Sequence, residues 1–207
     1  KKYVSDEAIK SHYFENDNNL KEDKKIINVD MFGKRFRFST NSGVFSKDKV
    51  DYGTKLLLNN IVIHKKSGKL LDLGCGYGVL GVILGENYKN LDIDMVDVNE
   101  KAVALANYNL QLNGVNGVNC YVSNIYEGVN SKYDYIVTNP PIRAGKDVLL
   151  QFLVGSYDYL VSDGQLWFVM RKDHGAKTMI LRLQELFDVQ IVCRDKGFYI
   201  VKCVKKN

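Results

Sequence analysis

Between Asp72 and Gly78 the chain reads Asp-Leu-Gly-Cys-Gly-Tyr-Gly, and no other stretch restricts its fold as strongly. Glycines at three alternate positions let a backbone turn sharply and pass close under a ligand, which any side chain would obstruct. The turn follows the buried-type strand Leu70 to Leu73 and opens the apolar helix Val79 to Tyr88. Beyond it come strand Leu91 to Val98, helix Glu100 to Leu112, strands Val118 to Val122 and Tyr133 to Thr138, a helix from about Asp147 to Leu160, strand Gln165 to Met170 and helix Ala176 to Phe187. This alternation predicts an α/β fold with a doubly wound, mostly parallel sheet. The ending departs from it. Strands Val189 to Cys193 and Phe198 to Val204 are joined only by Arg194-Asp195-Lys196-Gly197, too short a link for a crossover helix, so a C-terminal antiparallel hairpin should complete seven strands.

Upstream of the sheet, residues 1 to about 23 are polar and read as a helix fragment or loosely held arm. From Lys24 to Thr40, period-2 alternation on both sides of Phe32-Gly33 predicts a β-hairpin. Val50 to Ile63 places Leu56, Leu57, Leu58 and Ile61 on one helical face, with Asp51 or Thr54 near its start. Residues 1–60 are thus expected to form an arm, hairpin and helix packed on a core domain of residues 61–207.

The 207 residues are 45% hydrophobic and 26% charged, which excludes a disordered tail, a collagen-like fibre and a coiled-coil rod. Lys and Arg number 29 against 24 Asp and Glu, a net 29 − 24 = +5 that permits a polyanionic partner without demanding one. Cys75, Cys120, Cys193 and Cys203 form no C-x-x-C pair and have no histidine at zinc-ligand spacing. They read as small buried hydrophobes in a reducing compartment, so a cytoplasmic location and no metal are expected. No apolar run is long enough to span a bilayer, so no membrane partner is expected. Oligomeric state is not legible, a monomer being the simpler expectation.

The loop spacing, D-x-G-x-G-x-G, is not the G-x-G-x-x-G of dinucleotide enzymes, and no P-loop motif occurs. An acid at the loop entrance suits a cationic ligand end and would repel a pyrophosphate. S-adenosylmethionine, with its ammonium and sulfonium, fits, and Asp72, Gly74, Cys75, Gly76 and Gly78 become candidate contacts. Asp97, followed by Val98 at the tip of the second core strand, lies about 20 residues past the glycines, where an acid accepts both ribose hydroxyls. A lone glycine turn would be only a tight connection; two acids in register argue for the cofactor. At the third tip, Asn124 could accept from the adenine 6-amino group and Ile125 cover its face, although an Asn in a loop also serves as a plain turn former.

The chain has two prolines, and they are adjacent, in Asn139-Pro140-Pro141 directly after the strand Tyr133 to Thr138. A turn could use them, but the preceding Asn suggests chemistry. An exocyclic amine or carboxamide nitrogen has a delocalised lone pair and is a poor nucleophile. The Asn139 side-chain oxygen can accept one N–H and the rigidly aimed Pro140 carbonyl the other, drawing electron density onto the nitrogen and aligning it for in-line displacement. Asn139 would also border the cofactor.

With the glycine loop, Asn139-Pro140-Pro141 resembles the signature of class I amino-methyltransferases. More narrowly, Asn139 to Lys146, Gly43-Val44-Phe45-Ser46, Val50 to Thr54 and Arg171 to Ala176 resemble the RsmC-like small-subunit ribosomal RNA guanine-N2 methyltransferases, in a short single-domain bacterial form, over about residues 24 to 205. The resemblance implies methyl transfer from S-adenosylmethionine to the 2-amino group of a guanine in small-subunit (16S) ribosomal RNA or an assembling subunit. It makes Phe45, Ser46, Asp51, Gly53 and Thr54 candidate cofactor contacts. Ile142 stands where an aromatic often follows Pro141 and stacks on the substrate, so stacking must come from elsewhere or an apolar contact suffices. Arg143 and Lys146, with Arg171 and Lys172 on the next strand tip, are expected to converge as phosphate contacts, the alternative being scattered surface charge. Other readings keep the chemistry with a protein glutamine or nucleic-acid adenine, or make the chain a non-catalytic RNA-binding relative. A nicotinamide oxidoreductase is opposed by the glycine spacing.

Overall fold

The structure, a computed structural model, describes residues 24–41 and 49–207. Strands β1 (Lys24–Met31) and β2 (Lys34–Asn41) form the expected antiparallel hairpin. Both central turn residues, Phe32 and Gly33, have positive φ, the twist that suits a two-residue hairpin. Ile27, Val29, Met31, Phe36 and Phe38 alternate onto its buried face.

Helix α1 (Tyr52–Asn60), capped by Asp51, precedes the main sheet. That sheet contains β3 (Gly68–Leu73), β4 (Leu91–Asp97), β5 (Val118–Val122), β6 (Tyr133–Thr138), β7 (Leu160–Arg171), β8 (Phe187–Asp195) and β9 (Phe198–Lys205). Its order is β5-β4-β3-β6-β7-β9-β8, parallel through β7, with β9 inserted antiparallel between β7 and β8. The hairpin, α1, α2 (Val79–Asn87) and α3 (Glu100–Leu112) cover one face. Helices α4 (Lys146–Leu153) and α5 (Ala176–Leu183) cover the other. Alternate residues of β3 serve the two layers: Leu70 packs into the first, Leu71 and Leu73 into the second. Among the described residues no helix is long and apolar enough to cross a membrane.

Two elements differ from expectation. The helix anticipated to Leu160 ends at Leu153, a 3-10 turn fills Gly155 to Tyr159, and Leu160 already pairs with Tyr133 in β7. The register shift opposite Tyr133 and Tyr135 lets the strand begin five residues before Gln165. Likewise Phe187 belongs to β8 rather than to a helix, because it is buried on the sheet opposite Lys205. Cys75 and Cys203 are buried as expected, while Cys120 and Cys193 are only half-buried.

A pair of asparagines attaches the hairpin to the core. Asn109 and Asn113 each pair with one residue of β2 as a neighbouring strand would. Asn109 accepts from the Ser39 N–H at 2.8 Å and donates to the Ser39 carbonyl at 3.1 Å. Asn113 makes the same pair with Arg37, at 2.9 and 2.7 Å. The geometry matches because four helical residues rise about 6 Å and two strand residues about 6.8 Å. Asn109 also donates to the Tyr77 carbonyl at 2.7 Å, so one buried amide joins hairpin, helix and glycine loop.

Candidate active site

The carboxyl ends of β3, β4, β5 and β6 open into a cleft of about 960 Å³, closed on one side by the start of α1 and on another by Val148 and Phe152 of α4. It is lined by Asp51, Thr54, Asp72, Gly74, Cys75, Gly76, Asp97, Val98, Asn124, Ile125, Asn139, Pro141, Ile142 and Arg143, residues the sequence had singled out for a site. Gly53, Gly78, Pro140, Lys146, Arg171 and Lys172 lie outside the lining. Phe45 and Ser46 fall outside the described residues, as does the arm of residues 1–23.

The glycine loop is shaped by need. Gly74 has φ +69°, and a Cβ there would stand 2.9 Å from the Phe152 ring. Gly78 has φ +105° at the start of α2, where a Cβ would press on Ala106 and Met95. Its role is therefore to seat α2 against α3, not to border the cleft. Asp72 is buried, and one carboxylate oxygen accepts the Gly81 N–H at 3.0 Å. Burial pushes its carboxyl up to about 7, and the nearby Asp97 charge adds to the shift. A cation entering the cleft would hold Asp72 ionised.

Asp97 is fixed by both oxygens, one accepting the Gly76 N–H and the other the Asn99 N–H, each at 2.9 Å. The remaining lone pairs suit two vicinal hydroxyls. Val98 is 64% exposed although apolar, and Ile125 has φ +54°, costly for a β-branched residue. The Ser123 hydroxyl holds this strained turn, donating to the Ile125 carbonyl at 2.8 Å and accepting from the Gly128 N–H at 2.9 Å. Asn124 donates to Glu127 at 3.4 Å, which leaves its carbonyl oxygen for a donor such as an adenine amine. An ammonium acceptor, a diol acceptor and two apolar side chains in one open cleft fit S-adenosylmethionine, and the volume is in the usual range for such sites.

At the far end, the Asn139 amide donates to the Asp51 carboxylate at 3.1 Å and to the Thr54 hydroxyl at 3.0 Å. A carboxylate only accepts, so the amide orientation is determined: NH₂ toward α1, carbonyl oxygen away from it. Asp51 also accepts the Thr54 N–H at 3.3 Å, so one side chain caps α1 and orients Asn139. Among the described residues no donor reaches the Pro140 carbonyl. The Asn139 side-chain oxygen is thereby available at the end of the cleft lined by Pro141, Ile142 and Arg143, while Pro140 itself stands behind that lining.

The cations are less uniform than their spacing suggested. Arg143 lines the cleft and Lys146 is exposed at the start of α4. Lys172 is exposed too, whereas Arg171 pairs with Asp173 at 2.9 Å and lies over the Phe198 ring. Sequence reasoning missed Asn109 and Phe152. Their signals were an Asn pair at i, i+4 and the apolar stripe Leu149, Phe152, Leu153. Tyr77 lines the cleft with its ring edge-on to Phe38.

This strand order, with an acid-bearing glycine loop and Asn-Pro-Pro at the tip of β6, defines a class I S-adenosylmethionine-dependent methyltransferase. The sequence matches the methyltransferase small domain family over residues 35–202, and the chain belongs to that family. It is 41% identical over 197 residues to uncharacterized protein YbxB of Bacillus subtilis (strain 168), covering 94% of this chain and 98% of that one. It is 33% identical over 193 residues to ribosomal RNA small subunit methyltransferase C of Colwellia psychrerythraea, covering 89% of this chain and 52% of that one. The fold also superimposes on the T. thermophilus 16S rRNA N2 G1207 methyltransferase (RsmC), solved with AdoMet and guanosine. There the TM-score is 0.77 and the identity 24%, over 88% of this chain and 51% of that one. The chain thus spans about half the length of the methyltransferase C relatives it matches.

Proposed function

We propose that the chain transfers a methyl group from S-adenosylmethionine to the exocyclic 2-amino group of a guanine in small-subunit (16S) ribosomal RNA. The observation that carries this reading is the locked Asn139 amide. Its oxygen and the Pro140 carbonyl form a pair of acceptors suited to a primary amine, which has two hydrogens to give. S-adenosylmethionine supplies an electrophilic methyl on a sulfonium. Asp72 balances the cofactor ammonium, Asp97 holds the ribose, and Val98 and Ile125 enclose the adenine. Asn139 and Pro140 take the two amine hydrogens and leave the nitrogen lone pair directed at the methyl, so the work is positioning and electrostatics. Neither is a base, and the surplus proton leaves to water after transfer. Residues up to 60 serve domain 61–207 by supplying Asp51 and Thr54.

The choice of RNA over a protein glutamine is favoured by the names of the methyltransferase C relatives, by Arg143 in the cleft lining and by the exposed cations Lys146 and Lys172. A recessed 2-amino group calls for a flipped or single-stranded guanine. The test is transfer from labelled S-adenosylmethionine to unmodified small-subunit RNA, naked and as assembled subunits, with nucleoside digestion. N2-methylguanosine is the expected product. Asn139→Ala should bind the cofactor normally yet lose turnover about 100-fold or more, the scale of removing one preorganised hydrogen-bonding group. Wild-type turnover in that variant would refute the mechanism.

A further inference from the structure

Ile142 leaves the reacting end of the cleft without the aromatic that a base would stack on, and outside the cleft lining a pair of rings begins one residue past the carboxylate that orients Asn139. Tyr52 follows Asp51, the residue that orients Asn139, and its side chain turns away from the cleft toward the β8–β9 turn. Its hydroxyl donates to Asp195, its ring lies 5.6 Å from that of Phe198, and the Lys196 ammonium sits 4.7 Å above it. On the other side the Arg171 guanidinium lies 5.1 Å from the Phe198 centroid. Gly53 makes the assembly compact, because a Cβ there would stand 3.0 Å from the Phe198 ring. That contact accounts for a glycine which the cleft itself does not use.

The ladder Arg171, Phe198, Tyr52, Lys196 is built from three separate segments, and it stays open: Tyr52 is 37% exposed and Lys196 is exposed. Two carboxylates beside it are engaged by members of the ladder, Asp195 by Tyr52 and Asp173 by Arg171, and Asp51 is engaged by Asn139. Lys172 and Lys196 therefore remain as cations toward solvent, Lys172 held near the turn by its N–H bond to the Gly197 carbonyl at 2.8 Å. Interleaved rings and cations without a hydrogen-bonding edge form the pattern that holds single-stranded nucleic acid by stacking and phosphate contact.

We infer that this ladder is the docking surface for the nucleotide adjacent to the target guanine in single-stranded RNA, whose base stacks on Tyr52 while Lys196 moves from the ring face to the phosphate. The inference rests on the RNA reading above and assigns its stacking platform to α1 and the C-terminal hairpin. It also revises Arg171, which acts through its stacked plane on Phe198 rather than as a free phosphate clamp.

The test is direct binding by the full chain, saturated with S-adenosylhomocysteine, of a short single-stranded RNA with one guanine and either a normal or an abasic neighbour. Tyr52→Leu should weaken binding of the normal oligonucleotide about fivefold to 100-fold, as loss of a base-stacking ring does, and Tyr52→Phe should restore most of it. Lys196→Asn suits the left-handed φ of +47° at that position and removes the charge. It should flatten the salt dependence by about 0.7 in log–log slope. S-adenosylhomocysteine affinity of each variant reports that it is folded. Equal affinity of folded Tyr52→Leu and wild type, or equal affinity for the abasic and normal oligonucleotides, would overturn the platform. The two readings separate because binding needs no turnover. Ring-dependent binding without guanine methylation would leave the platform standing and remove the catalytic proposal. Guanine methylation with ring-independent binding would do the reverse.

Discussion

Replacing Asn109 by Leu keeps the side-chain volume nearly constant and removes one amide, which isolates what that amide does. In the native chain it makes three hydrogen bonds, from the Ser39 N–H at 2.8 Å and to the Ser39 and Tyr77 carbonyls at 3.1 and 2.7 Å, with no exposure to solvent. At a net value of about 1 kcal/mol per bond the substitution costs about 3 kcal/mol, and roughly twice that if the three backbone groups stay dry. Against a total stability of about 5–15 kcal/mol for a domain, this is a large fraction. It corresponds to a fall in Tm of about 6–12 °C for a chain of this length. Urea denaturation of Asn109→Leu beside Asn113→Leu is the assay. Asn113 is only half-buried, so water replaces its bonds to Arg37 and the loss there should be near 1 kcal/mol. Because Tyr77 lies between Gly76 and Gly78, the Asn109 variant should also bind S-adenosylmethionine more weakly. A loss below about 1 kcal/mol, or equal losses for the two variants, would refute the account of the clamp.

Two further outcomes are expected. Asp72 holds its proton up to about 7 in the fold against 3.8 as a free side chain. The folded state therefore binds the proton more tightly than the unfolded one, and this group's contribution to stability, of the order of 4 kcal/mol, is full below about pH 4 and disappears as pH rises through 7. Asp72→Asn should abolish that slope, and at pH 6.5 cofactor binding should release a proton from the wild type, read by calorimetry in two buffers of different ionisation enthalpy; buffer-independent heats would remove Asp72 from the ammonium role. Ile125→Gly relieves a left-handed β-branched residue, so it should stabilise the free protein by about 1 kcal/mol while weakening cofactor binding. A destabilised variant with unchanged affinity would show that the turn carries no functional strain.

Local pattern alone determined a good deal. Helix α3 and strands β5 and β6 have the ends that periodicity indicated, and Gly74 to Gly76, Asn139 and Pro141 line one cleft because they follow parallel strands whose carboxyl ends share an edge. The short Arg194-to-Gly197 link required an antiparallel last strand for simple reasons of reach. Other features came only with the tertiary structure. Leu160 looked helical because an apolar run has no period of its own, and pairing with Tyr133 made it strand. Asp51 and Asn139 are 88 residues apart, Tyr52 and Asp195 are 143 apart, and Asn109 meets Ser39 across 70. Period and spacing describe which face a residue takes within its own element; which faces then meet is decided by packing. So the residue types that line the cofactor cleft were readable in the chain. The direction in which the Asn139 oxygen points, and the packing of Tyr52 on Phe198, depend on contacts between segments distant in sequence, and those form only when the whole core closes.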